Sequence, residues 1–318
     1  IDDGRSKVLV CLGGNFAIAL PDPERCTAAM RKLELAVHLG TKLNRSHLLV
    51  GKQSIILPVL GRTERDIQAS GPQVVTVEDS MSMVHASRGK LTPASEDLLS
   101  ESAIIAGIAM ATLPATKVPW AELIADYDRI RDAIEGVFPD FKDYNARIRT
   151  PGGFRLPLPP TERKWTTPSG KAEFLIFDDL EEDPVLADKS VLKLATIRSH
   201  DQYNTTIYGL NDRYRGVFGQ RDVVFLNEYE MKRRGFAEGD RVDLITESTD
   251  GVERVVRNFR VVGYSFPTGC CAAYYPETNS LVPLYARDPL SFTPSYKGIP
   301  IRLVRSSGTD EAAVLLDH

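Results

Sequence analysis

The stretch Val223–Ser248, VVFLNEYEMKRRGFAEGDRVDLITES, decides how this chain reads. Its first residues are β-branched, aromatic and apolar, as a buried strand requires. EYEMKRR follows as a short helix closed by Gly235, the residue type that tolerates the left-handed helix end. Lys232, Arg233 and Arg234 fall in its last turn, where cations suit the helix dipole and form a solvated face. Gly239-Asp240 then makes a tight turn into a second strand. Working outward, VLKLATI (191–197), VERVVRNFRVVGYSF (252–266) and IPIRLVR (299–305) are also strand-like, with turn signals such as STDG (248–251) between them. From residue 189 to 307 the sequence therefore predicts a mainly β domain closed into a barrel, followed by a tail at 308–318.

The first part has another texture. KVLVCLGGN (7–15) is an apolar run ending in Gly-Gly-Asn, as a parallel strand ends beneath a ligand-binding turn. PDPERCTAAMRKLE (21–34) predicts a helix with Asp22 as N-cap, Pro23 first and Glu24 in the first turn. LELAVHLG (33–40) and SIILPVLG (54–61) complete a βαβ-type parallel sheet over residues 1–118. VVTVEDSMSMVHAS (74–87) reads as an edge strand or an extended wrap. A helix is expected over Ser95–Leu113 with Ser95 as cap, and another over PWAELIADYDRIRDAIEGVF (119–138) ending at Gly136. With that last helix, RTPGGFRLPLPPTERKWTTPSGK (149–171), dense in Pro and Gly, makes 119–188 a wrapping linker.

Bulk properties bound the function. With 318 residues, two domains are the better expectation. Hydrophobic residues at 42% and charged residues at 26% are ordinary for a globular chain, and a net charge of -4 argues against a nucleic-acid partner. Cys11, Cys26, Cys270 and Cys271 form no CxxC pair, so no metal-ligating residues are assigned within the chain. The adjacent pair reads as buried, inert thiols, and the compartment as reducing and cytoplasmic. No apolar run reaches the ~18 residues of a membrane span, and no signal peptide is visible. The chain opens on Ile1 directly before a strand, as a fragment or a processed product would. An ordinary nucleotide enzyme is disfavoured by the lack of GxGxxG or GxxxxGK[ST].

Four segments, in order, carry a resemblance: LATIRSHDQYNTT (194–206), VVFLNEYEMKRRGFAEGDRVDLITES, PTGCCAAYYPETNSL (267–281) and DPLSFTPSYKGIPIRLVR (288–305). They resemble the C-terminal domain of the molybdopterin-dinucleotide oxidoreductases, the group containing formate dehydrogenases and periplasmic nitrate and dimethyl sulfoxide reductases. VCLGGNFAIALPD (10–22), LAVHLGTKLNRSH (35–47) and ILPVLGRTERD (56–66) resemble the later half of one of that family's α/β domains. With RKWTTPSGKAEF (163–174), they look most like the formate-dehydrogenase-like branch. The resemblance implies a partial Rossmann-like α/β domain followed by a double-psi β-barrel, and a molybdopterin guanine dinucleotide with molybdenum or tungsten. It implies a small-molecule substrate and an electron acceptor. It also implies a [4Fe–4S] cluster and a metal ligand in an N-terminal part of the same protein not present here, so that this portion is inactive alone.

By the same resemblance, Arg198, Ser199, Gln202 and Asn204 match positions that hold the cofactor. An arginine and turn N–H groups are what a diphosphate needs. Tyr275 with Asn279, and Tyr296 with Lys297, match positions close to the pterin and cofactor. Gly13, Gly14 and Asn15 would let a nucleotide approach the backbone, and Thr41, Lys42 and Asn44 extend that set. The plain alternatives are a surface ion pair for Arg198, a turn asparagine at 279 and an exposed lysine at 297. No catalytic residue is assigned. His85 and His200 have no partner visible in the sequence and read as structural. A rival of a different class is a cofactor-free binding or scaffold module that reuses these folds.

Overall fold

The computed structural model describes residues 1–174, 176 and 187–307. They fall into two compact units. The first comprises Ile1–His38, Leu43–Ile55 and the described residues from 187 onward; the second comprises Leu39–Lys42 and the described residues from Ile56 to 176.

The first unit is built on a closed six-stranded barrel. Round the barrel the order is Val223–Leu226, Val255–Gly263, Arg241–Thr246, Ile299–Arg305, Leu192–Ile197 and Cys270–Tyr274. Val223–Leu226 runs parallel to Val255–Gly263, and Cys270–Tyr274 parallel to Leu192–Ile197; the other pairs are antiparallel. Alternation explains the closure. Leu192, Leu194, Val242, Leu244 and Ile301 are all fully buried inside, spaced two apart along their strands. Each such side chain contributes about 1.5–3 kcal/mol of burial. Val223–Leu226 is buried on both faces because its outer side packs on Val217, Ala272 and Tyr274. The helix Glu228–Arg234 forms as its caps dictate: Asn227 Oδ1 accepts from Glu230 N at 2.7 Å, and Gly235 takes φ 71°.

Val8–Leu12, Leu35–Gly40 and Gln53–Pro58 form a three-stranded sheet in that order. The helix Pro23–Met30 packs Met30 into a small core with Leu33, Ala36 and Leu49. One expectation is corrected here. Asp22 stands at the N-cap position but is left-handed (φ 45°) and makes no capping bond. Its carboxylate instead meets buried Arg254 at 2.7 Å, because leaving that guanidinium short of acceptors would cost more than an empty cap.

The second unit has a hairpin, Val75–Glu78 against Met83–Ser87, extended by Phe154–Arg155. Of the two readings left open for 74–87, an edge strand is the closer; Asp79 shapes its turn by accepting from Met81 N and Met83 N. The helix expected from Ser95 begins later, spanning Glu101–Thr112 with Ser100 as cap. Leu99 bridges Val59 in extended backbone, so no helix can run through it. The long helix expected over 119–138 is two, Trp120–Ala125 and Tyr127–Val137. They part at Asp126, whose extended backbone lets its side chain cap Asp128 N at 3.0 Å. Gly136 lies inside the second of them.

Candidate functional site

The strand Leu192–Ile197 delivers Arg198 to an exposed rim of the barrel. Lys297, which enters the neighbouring strand Ile299–Arg305, sends its amine back to the carbonyl of Thr196. Partial burial and then the charge of Arg198 push the Lys297 pKa below its ordinary value. The described residues offer neither cation a carboxylate within ion-pair distance. The charge of these two groups is therefore not balanced by an ion-paired acid among the described residues.

Tyr275 lies near Arg198, and its ring meets that of Tyr296 edge-on at 5.7 Å between centroids. The Tyr296 hydroxyl donates to Ala19 O at 2.6 Å, and Asn279 Nδ2 donates to Ile18 O at 2.8 Å. The barrel residues 279 and 296 thus both end on the short helix Phe16–Ala19, directly after Gly13-Gly14-Asn15. Both glycines are left-handed, at φ 66° and 69°, where a side chain would be strained. Asn44 fastens this turn by donating to Gly14 O at 2.8 Å, while Ser46 Oγ sits 3.3 Å from Asn15 Oδ1.

The first unit holds a cavity of about 610 Å³, lined among others by Asn15, Arg45, Thr205, Glu277 and Asn279; Arg198, Tyr275, Tyr296 and Lys297 do not line it. That volume suits a sizeable ligand. Asn279 is 3% exposed, and its Oδ1 has no hydrogen-bond partner. A buried carbonyl oxygen with no donor costs about 1–3 kcal/mol, so Asn279 Oδ1 is an unsatisfied acceptor on a residue of the cavity wall.

Ser199 and Gln202 are directed inward, onto protein. Gln202 Oε1 accepts from Ser199 N and from Arg221, and its Nε2 donates to Asn204 O at 2.8 Å and Tyr275 O at 2.6 Å. Ser199 Oγ accepts from Arg221 Nη1 at 2.8 Å. The side chain of Asn204 enters no hydrogen bond among the described residues; its φ of 51° bends the loop back on itself, pairing Gln202–Tyr203 with Thr206–Ile207. Thr41 and Lys42 belong to the second unit. There Thr41 lines a separate cavity of about 570 Å³ together with Tyr127.

Three buried or half-buried charged neighbours of these residues escaped the sequence reading. Arg221 is buried and organises the loop. Glu277 is its partner. Asp212 is 2% exposed and receives Tyr274 OH at 2.8 Å and Arg215 Nη1 at 2.6 Å, with His200 Nδ1 at 2.9 Å. Burial opposes its charge, but the bonds from Arg215, Tyr274 and His200 outweigh it and hold the carboxyl below the usual range. His200, which has no partner visible in the sequence, therefore has one in the fold, and its ring lies 4.2 Å from that of Tyr214. The one signal available was the charged pair Arg221-Asp222 at the entrance of an otherwise apolar strand.

Residues 192–300 match the family model of the molydopterin dinucleotide binding domain. The segment similar to this domain family spans the barrel strands from Leu192 through the start of Ile299–Arg305, and with them Arg198, Asn279 and Lys297. Protein YdeP of Escherichia coli (strain K12) is 54% identical over 306 residues, covering 96% of this chain and 40% of that protein. An uncharacterized oxidoreductase of Mycobacterium tuberculosis is 52% identical over 307 residues, covering 95% and 39%. The chain spans about two fifths of the length of these relatives. Acetylene hydratase from Pelobacter acetylenicus shares the fold, with a TM-score of 0.57 over 94% of this chain and 44% of that one, at 17% identity. No helix among the described residues is long and apolar enough to cross a membrane.

Proposed function

We propose that this chain is part of a molybdenum or tungsten oxidoreductase of the formate-dehydrogenase-like branch, and that it forms one wall of a molybdopterin guanine dinucleotide pocket. The observation that carries this reading is that Arg198, which directly follows Leu192–Ile197, and Lys297, whose amine donates to Thr196 O, lie at the same end of the barrel, with no carboxylate within ion-pair distance of either among the described residues. A diphosphate supplies the missing negative charge. The residues present fit the rest of the group. Asn279 Oδ1 accepts a ring or amino N–H, Tyr275 and Tyr296 offer ring edges and faces, and the Gly13-Gly14 turn admits close approach. Ser199 and Gln202 act through Arg221, holding the loop rather than the cofactor. The barrel carrying them is read as the double-psi type, and the sheet of Val8–Leu12 as part of a Rossmann-like domain.

When bound, the cofactor supplies the metal and dithiolene redox chemistry, passing electrons between a small substrate and an acceptor. This chain's residues bind, orient and neutralise it. The reading is tested by metal and nucleotide analysis of the full-length protein. Molybdenum or tungsten near one per chain, with guanine nucleotide released on acid treatment, is expected. A protein that folds fully and carries neither would overturn it in favour of a cofactor-free scaffold.

A further inference from the structure

Arg221 is 6% exposed, yet its guanidinium meets four residues from two separate stretches of chain. Nη1 donates to Ser199 Oγ at 2.8 Å. Nη2 donates to Gln202 Oε1 and Tyr275 O, each at 2.9 Å, and to Glu277 Oε2 at 3.1 Å. Nε donates to the other Glu277 oxygen, completing a bidentate fork, and the guanidinium carbon lies 4.7 Å from the centre of the Tyr274 ring. Nε, Nη1 and Nη2 each hold at least one of these partners, so the group is committed chiefly to the protein.

What it holds is the rim. Ser199 and Gln202 flank Arg198 on one loop; Tyr275 and Glu277 flank Asn279 on another. These loops are joined directly by one side-chain bond, Gln202 Nε2 to Tyr275 O, and Arg221 lies beneath both. We propose that Arg221, with Glu277 as its counter-ion, is a positioning residue that locks these two loops into one rigid surface, so that Arg198, Tyr275 and Asn279 meet the dinucleotide in fixed register. This rests on the cofactor reading above. Lysine cannot replace it: a single ammonium has no planar fork and cannot grip a carboxylate bidentately while reaching a hydroxyl, an amide and a carbonyl.

The test uses full-length protein purified with its cofactor. Arg221→Lys keeps the charge, and the double variant Arg221→Met with Glu277→Met removes the buried pair together, a change that often leaves folding stability intact. Nucleotide release is followed after dilution, beside the melting temperature of the cofactor-free form and amide hydrogen exchange across 199–204 and 275–279. Release is expected to quicken by about tenfold or more in both variants, the usual size of effect for removing an outer partner of a bound group. Exchange in the two loops should rise together, while the melting temperature of the double variant stays near wild type. Release at the wild-type rate from Arg221→Lys, or release that merely tracks melting temperature, overturns the inference while leaving the cofactor reading intact. Wild-type protein without nucleotide overturns both.

Discussion

The side-chain amide of Asn279 donates to the backbone carbonyl of Ile18 at 2.8 Å, joining positions 261 residues apart in the sequence. One half of that amide therefore holds the fold, while the other half, the buried Oδ1, has no partner and is proposed to meet the cofactor. Asn279→Asp removes the donor and places a second acceptor against Ile18 O. Stability should fall by about 1–3 kcal/mol, read from the urea midpoint, and bound nucleotide should fall with it. Full nucleotide content at unchanged stability would contradict both roles.

Arg198 and Lys297 should respond as a pair. Arg198→Ala removes the like charge that helps depress Lys297, so the lysine pKa moves back toward its ordinary value. Binding an anion does the same. The stabilisation that Lys297 gives a bound anion is thus complete below the pKa of the free form and is lost as pH rises through that of the bound form. Nucleotide release should accelerate along an alkaline limb, and Lys297→Met should abolish the limb. A pH profile unchanged in that variant would assign the limb to another group.

His38 predicts an acid-side loss of stability. It is 1% exposed, its Nε2 has no partner, and burial followed by the His47 charge holds its pKa below the ordinary 6.5. Below pH 6.5 the unfolded chain takes up a proton that the folded chain refuses. Stability therefore falls as pH falls from there to the folded pKa, by up to about 1.4 kcal/mol per pH unit for one proton. His38→Phe should flatten that part of the denaturation curve.

Tyr127 acts in the second unit. Its hydroxyl donates to Asp66 at 2.6 Å and lies 2.7 Å from Ser100 Oγ. Burial, reinforced by the Asp66 bond, pushes its pKa up to about 12. The folded state keeps this proton where the unfolded chain has lost it, so its contribution fades as pH rises from the ordinary 10 to about 12. Tyr127→Phe leaves two buried or half-buried partners unsatisfied and should cost about 1–3 kcal/mol at neutral pH, measured by thermal unfolding, and should remove the alkaline loss.

The barrel was legible because its signal is local. Alternation in LKLATI and RVDLIT specifies which face is buried, and Asn227 and Gly235 mark the helix ends whatever surrounds them. Arg198, Asn279 and Lys297 were singled out in the sequence as residue types that a diphosphate and ring nitrogens would ask for, and their cofactor role is the proposal made above. Ser95 and Ser100 show where local signals stop. Both look like helix caps, and only the pairing of Leu99 with Val59 chooses between them.

By itself the sequence determined the barrel strands and the ends of the helix Glu228–Arg234, since each depends on neighbours within a few positions. The tertiary structure alone decided that Asp22 would serve Arg254 instead of its helix, that His200 would find Asp212, and that Ser199 and Gln202 would turn inward to Arg221. The reason is physical. A buried charge must be matched by whichever partners the fold brings within about 3 Å, and no spacing along the chain records which partners those are.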